Sequence, residues 1–191
     1  MRATQVVYHF KSPRMQGQTL YPLHSLRQRF PDAFADAVRK YRKRPALLEQ
    51  RIARLDCRFN DVLHFSPLNP QRVWDAWDRL GVFEPHAEPP EVFRIPLSKL
   101  TRWPLAVFRP PADHRNHQLS DRDFGPFDPE TYAELDAPTT EQLERWKAEI
   151  EAGRERLWLF SGTTHILCRG HIDVGDCETF RLTNPPGVEY G

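Results

Sequence analysis

The sequence predicts an α+β fold: a single domain around a mixed or antiparallel sheet, with N-terminal helices inserted after the first strand. Three observations predict it. A strand-like run at Gln5–Phe10 gives way to helical periodicity, a strand-and-helix unit spans residues 59–81, and several further strands follow with one late helix. Such irregular ordering fits α+β and not a doubly wound βαβ sheet. The chain also has no GxGxxG and no GxxxxGK[ST], so neither glycine-rich phosphate loop is expected.

The 191 residues, 39% apolar and 12% aromatic, suffice for one core. The domain is expected over residues 1–184, with 185–191 as a tail. Eighteen prolines, about twice the usual share, imply many irregular connections. No apolar run approaches the ~20 residues of a membrane span. The first residues lack the basic-then-apolar layout of a signal peptide. Cys57, Cys168 and Cys177 are too few for a disulfide scaffold, and a reducing cytoplasm is expected.

In chain order, Gln5–Phe10 ends at Ser12-Pro13. Leu23, Leu26 and Phe30 mark a helix stopped by Pro31, and Phe34, Val38 and Tyr41 mark a second. Pro45 is expected to open a third helix carrying Leu48, Ile52 and Leu55 at helical spacing. Val62, Leu63 and Phe65 then form a short strand that ends at Ser66-Pro67. Asn69 reads as an N-cap with Pro70 at the first helical position. Val73, Trp74, Trp77 and Leu80 make the buried stripe of that helix, and Gly81 its stop. Residues 85–90 are a proline-rich acidic link.

Val92–Ile95 and Leu105–Phe108 are strands, with a short turn or helix at Leu97–Leu100. Residues 110–138 read mostly as an acidic, proline-bearing loop, long enough to be functional or mobile. Thr139 or Thr140 caps a helix with Leu143, Trp146 and Ile150 inward and Gly153 past its end. Leu157–Phe160 is apolar. His165–Cys168 and His171–Val174 read as a hairpin around Arg169-Gly170.

The net charge of +1 conceals an asymmetry. Residues 1–60 carry 13 Lys/Arg against 4 Asp/Glu, and the remainder 14 against 22. The densest basic piece, residues 39–44, suits a polyanion such as nucleic acid or the phosphates of a small ligand. The alternative is a solvated helix face.

Four constellations could carry chemistry. His9, flanked by Tyr8 and Phe10, sits near a strand end and can donate hydrogen bonds to a ribose or phosphate; otherwise it is a half-buried structural histidine. His64-Phe65-Ser66 offers an imidazole, a stacking ring and a hydroxyl. Asp61 is too close for a Ser-His-Asp triad on one strand and no GxSxG exists, so a serine hydrolase is rejected. His165, Cys168, His171 and Cys177 invite a zinc reading. Residues three apart on a strand face opposite sides, however, and there is no CxxC knuckle, so no metal site is expected. Asp173, Asp176 and Glu178 could supply a carboxylate, or simply end a hairpin in solvent. His9 and His64 both precede a Ser-Pro strand end, which suggests neighbouring strands opening onto one cleft.

Tyr8-His9-Phe10 on a first strand, then helices, then Asn60-Asp61-Val62-Leu63-His64-Phe65-Ser66-Pro67, resembles the layout of ADP-ribosyltransferase-like folds. The similarity is nearest to DarT-type DNA ADP-ribosyltransferase toxins, and it covers about residues 5–80. It implies a split mixed sheet with NAD bound in its cleft. By position it implies His9 on the cofactor ribose, Phe65 and Ser66 in the strand motif, and a late glutamate, for which Glu178 is the candidate, orienting the ribose hydroxyl. The cofactor set expected on this basis is Tyr8, His9, Arg14, Phe65, Ser66 and Asn69, with His9, His64 and Glu178 catalytic. Arg14 would serve a pyrophosphate. The chain is also similar to small bacterial proteins of unassigned activity that share its Asn-Asp-Val and His-Ile-Leu blocks.

The leading expectation is therefore an NAD-binding protein that transfers ADP-ribose to nucleic acid or protein. The rivals are a nucleic-acid- or protein-binding module without catalysis, and a nuclease or other phosphate-ester enzyme using His9 or His64 as acid/base.

Overall fold

The computed structural model describes residues 5–42, 44–81, 88–111, 119–153, 159–160 and 162–184. The expected tail, half of the acidic link, Leu157-Trp158 and Lys43 lie outside the described residues. The fold is α+β, and every pairing between its strands is antiparallel among the described residues.

β1 (Val6–Phe10) and β2 (Thr19–Leu20) precede α1 (Leu23–Arg29) and α2 (Pro31–Ala37), which runs on into a 3-10 turn, Val38–Tyr41. α3 (Ala46–Glu49), β3 (Arg51–Ile52) and β4 (Cys57–Arg58) follow. Then come β5 (Leu63–Phe65), α4 (Pro70–Arg79), β6 (Glu91–Pro96), β7 (Leu105–Phe108) and β8 (Phe124–Pro126). The described chain closes with α5 (Thr140–Glu151), β9 (His165–Cys168), β10 (Ile172–Asp173) and β11 (Glu178–Arg181).

Two sheets carry the fold, in the orders β1-β6-β11 and β5-β9-β7-β8. Among the described residues a single bridge joins them. Tyr8 N–H donates to the Ser66 carbonyl at 2.9 Å, and Ser66 N–H donates to the Tyr8 carbonyl at 2.8 Å. Alternation along the strands sorts side chains to two cores. Leu63, Phe65, Ile166 and Cys168 join Val7, Phe93 and Ile95 in one cluster. Leu167, Ala106 and Phe108 join Phe59, Tyr41 and Ile52 in the other. A third cluster sets Trp74 and Trp77 of α4 and Trp146 of α5 against Val92 and Leu182.

α4 follows its sequence signals. The Asn69 side chain accepts from Gln71 N–H at 3.0 Å, Pro70 takes the first helical position, and Gly81 adopts φ 68° just past the end.

Three expectations change. The third helix stops at Glu49, and Ile52 sits on a hairpin, opposite Cys57, turned by Asp56 at φ 46°. Ile52 and Leu55 fit a helix or a tight hairpin equally by spacing, and both are buried in the second core. β9 and β10 do not pair with each other. β9 lies between β5 and β7, while β10 pairs with β2. The Trp103 ring lies so close to Gly170 that a Cβ there would overlap it.

Finally, the described part of the 110–138 loop is tied down. β8 pairs with β7, Tyr132 OH donates to the Val6 carbonyl at 2.5 Å, and Leu135 N–H donates to the Pro67 carbonyl at 2.8 Å.

Trp77 is 5% exposed and meets Trp146 edge-on at 5.9 Å. Trp77→Ala should destabilise by ~3–5 kcal/mol, the cost of a large core truncation, as read by denaturant unfolding. Gly170→Ala should cost ~1–3 kcal/mol through displacement of Trp103, visible as a lowered unfolding midpoint and a shifted tryptophan emission.

Candidate functional site at the junction of the two sheets

The Tyr8–Ser66 bridge fixes β1 beside β5, and His9 follows Tyr8 directly. The His9 ring packs on Phe65 with centroids 5.4 Å apart, and its Nδ1 lies 2.7 Å from the Phe10 carbonyl. One residue before Phe65, His64 points to the other side of β5, against Phe59 at 4.6 Å. His165, on neighbouring β9, meets His64 edge-on at 5.7 Å and lies 6.2 Å from Phe108. Three histidines from three strands thus gather around the junction, each half-buried.

Their protonation is held down. Burial lowers His9 and His165 to about 4, and the ammonium of Lys40 adds to the effect on both. Burial likewise holds His64 well below its ordinary value, with His165 and Lys40 contributing. All three imidazoles are neutral at pH 7, able to donate or accept hydrogen bonds.

Tyr8 belongs to a different cluster. Its hydroxyl donates to Glu134 Oε1 at 2.5 Å, and burial raises its pKa. Across the sheet Tyr8 stands opposite Arg94, and Arg94 opposite Glu178. Arg94 donates to Glu178 at 3.1 Å in a solvent-exposed pair. Adjacent residues on a strand face opposite ways, so Glu178 shares the face of Tyr8 and Arg94 and not that of His9.

The hydroxyl of Ser66 is fully buried and bonded to Leu68 N and O, both at 3.0 Å, which shapes the strand end. Asn69 is engaged as the α4 cap. Arg14 is exposed in the loop after β1.

Cys168 is buried in the first core, its thiol pushed up to about 12 by burial, whereas His171 is exposed and stacks on Tyr21 at 5.9 Å. Among the described residues no three His, Cys, Asp or Glu side chains converge to hold a metal.

His165, Lys40 and Phe59 are junction residues outside the set expected from sequence, and Glu134 joins Tyr8 in the other cluster. His165 was legible as a strand histidine. Lys40 was hidden within a basic run and Glu134 within an apparent loop. Beyond the junction, an open cavity of about 580 Å³ is lined by Gln18, Ser98, Lys99, Arg102, Asp173 and Asp176. Two of its charged groups, Lys99 and Asp176, pair with each other.

No known protein family, curated protein or solved structure matches the chain.

The depressed histidines make stability depend on pH. Between about pH 6.5 and 4 the unfolded chain binds protons that the folded one refuses, so stability is present above this window and is lost as pH falls through it. Urea unfolding from pH 7 to 4 should show the loss, each histidine contributing a slope of up to ~1.4 kcal/mol per pH unit. His165→Phe should flatten the slope.

Proposed function

We propose that the chain binds NAD at the sheet junction and acts as an ADP-ribosyltransferase-like protein on a nucleic-acid or protein acceptor. The observation that carries the reading is the way β1 meets β5. A single bridge joins two sheets, and the imidazole of His9 rests on the ring of Phe65 immediately beside it. A neutral His9 suits a ribose hydroxyl, the fully buried Phe65 ring backs its imidazole, and Lys40 supplies positive potential for phosphates. When bound, NAD supplies a nicotinamide–ribose bond whose cleavage passes ADP-ribose to a nucleophile. The chain's own part is to bind and orient. Ser66 and Asn69 support the site by shaping the strand end and the helix start.

A second reading, a phosphate-ester enzyme, is favoured by one observation: His64 and His165 stand 5.7 Å apart on adjacent strands. Neutral at pH 7, either could serve as a general base. Phosphodiester cleavage without NAD turnover would select it.

Calorimetric titration of NAD, with nicotinamide release followed beside it, tests the leading reading. The wild type should bind NAD, and His9→Ala should weaken binding by ~1–3 kcal/mol, the cost of a lost polar partner. Thermal melts should separate this effect from unfolding. A wild type that does not bind NAD would overturn the transferase reading.

A further inference from the structure

The histidines of the junction have no acidic companion among the described residues. The charges acting on His9, His64 and His165 are that of Lys40 and those the imidazoles themselves would carry. The neighbouring elements add rings and no acid aimed at the cluster. The second core contributes Phe59 and Phe108, and Asp61, three residues before His64, accepts from Arg58 N–H at 2.9 Å. Lys40 is exposed on the 3-10 turn, its ammonium 5.1 Å from the Tyr41 ring, and Tyr41 meets Phe59 edge-on at 6.5 Å. This chain of contacts brings the cation to the rim of the aromatic wall that holds His64.

Inside the wall, Nδ1 of His165 is buried and meets no partner at good hydrogen-bond geometry among the described residues, with only the backbone of Thr163 near enough to favour its protonated form. Buried polar atoms are nearly always satisfied, and one that is not points to a ligand or water. A cation with no counter-ion among the described residues, set beside imidazoles that gain a second N–H on protonation, is complementary to an oxyanion.

We propose that Lys40, His64 and His165 form a subsite for a phosphate group with a free terminal charge, such as a diphosphate, and that filling it draws protons onto the histidines. This rests on the junction being the ligand site, as argued above, and not on the ligand being NAD. The coupling follows from charge. Burial and Lys40 now disfavour imidazolium, whereas a bound oxyanion favours it. The complex therefore takes up protons, and affinity strengthens as pH falls from about 8 to about 5.5.

The probe is inorganic pyrophosphate, titrated calorimetrically at pH 6 in two buffers of different ionisation heat, and again at pH 8. Wild type should bind with net proton uptake at pH 6 and bind at least tenfold more weakly at pH 8. Lys40→Ala, an exposed change that leaves the core intact, should weaken binding at pH 6 at least tenfold, and histidine C2–H NMR signals should move on binding. Equal binding by Lys40→Ala and wild type, or binding without proton uptake and with unmoved histidine signals, would overturn the subsite. So would binding of an oligonucleotide lacking terminal phosphate in preference to pyrophosphate. Pyrophosphate binding without NAD binding would keep the subsite and remove the NAD reading. NAD turnover without pyrophosphate binding would do the reverse.

Discussion

Two backbone hydrogen bonds between Tyr8 and Ser66 join the sheets of this fold. Ser66 is suited to this position. Its hydroxyl is engaged by Leu68, its residue surface is fully buried, and Pro67 ends the strand one residue later. Because the contact is so short, β1 and β5 share no continuous ladder, and the next residues on each strand meet through side chains rather than paired backbone. His9 and Phe65 fill that place. The site is thus a by-product of how the sheets are joined.

Burial and charge at the junction act in the same direction. Packing against Phe59, Phe65 and Phe108 removes water from the imidazoles, and Lys40 opposes a second positive charge near them. The fold gives up stability to keep three neutral histidines close together, where hydrophobic residues of similar size would pack with no polar atoms to satisfy. Such an arrangement is a familiar mark of sites that bind something.

Much of the frame was legible in the sequence because local chemistry decided it. Asn69-Pro70 could only begin a helix well, and the tryptophans at helical spacing could only be buried. The repeated Ser-Pro after two histidine-bearing strands marked where each strand ends, but the antiparallel Tyr8–Ser66 bridge sends the two ends in opposite directions. What escaped depended on contacts made far away. Ile52 fits a helix by spacing, yet it pairs with Cys57 in a hairpin. The partner of β10 is β2, so that Ile172 stands opposite Leu20 from the far end of the chain. Lys40 could not be told from its basic neighbours until the 3-10 turn placed it beside the aromatic wall, and Glu134 could not be seen as a partner of Tyr8 until the loop was anchored. Glu178 reads as a late carboxylate in sequence, but strand parity sets it on the face away from His9.

The order of pairing in the first sheet bears on how the chain comes together during synthesis. β1 pairs Val6 with Pro96, and β6 pairs Arg94 with Glu178. Apart from its one bridge to Ser66, β1 therefore waits for nearly half the chain before meeting its sheet partner β6, and its sheet is incomplete until almost the last described residues have left the ribosome. Contacts so distant in sequence slow folding and leave strand edges open meanwhile. A chain truncated before β11 would retain most of its hydrophobic residues and still expose one side of β6 as an unpaired edge, a form suited to recognition by chaperones or to aggregation.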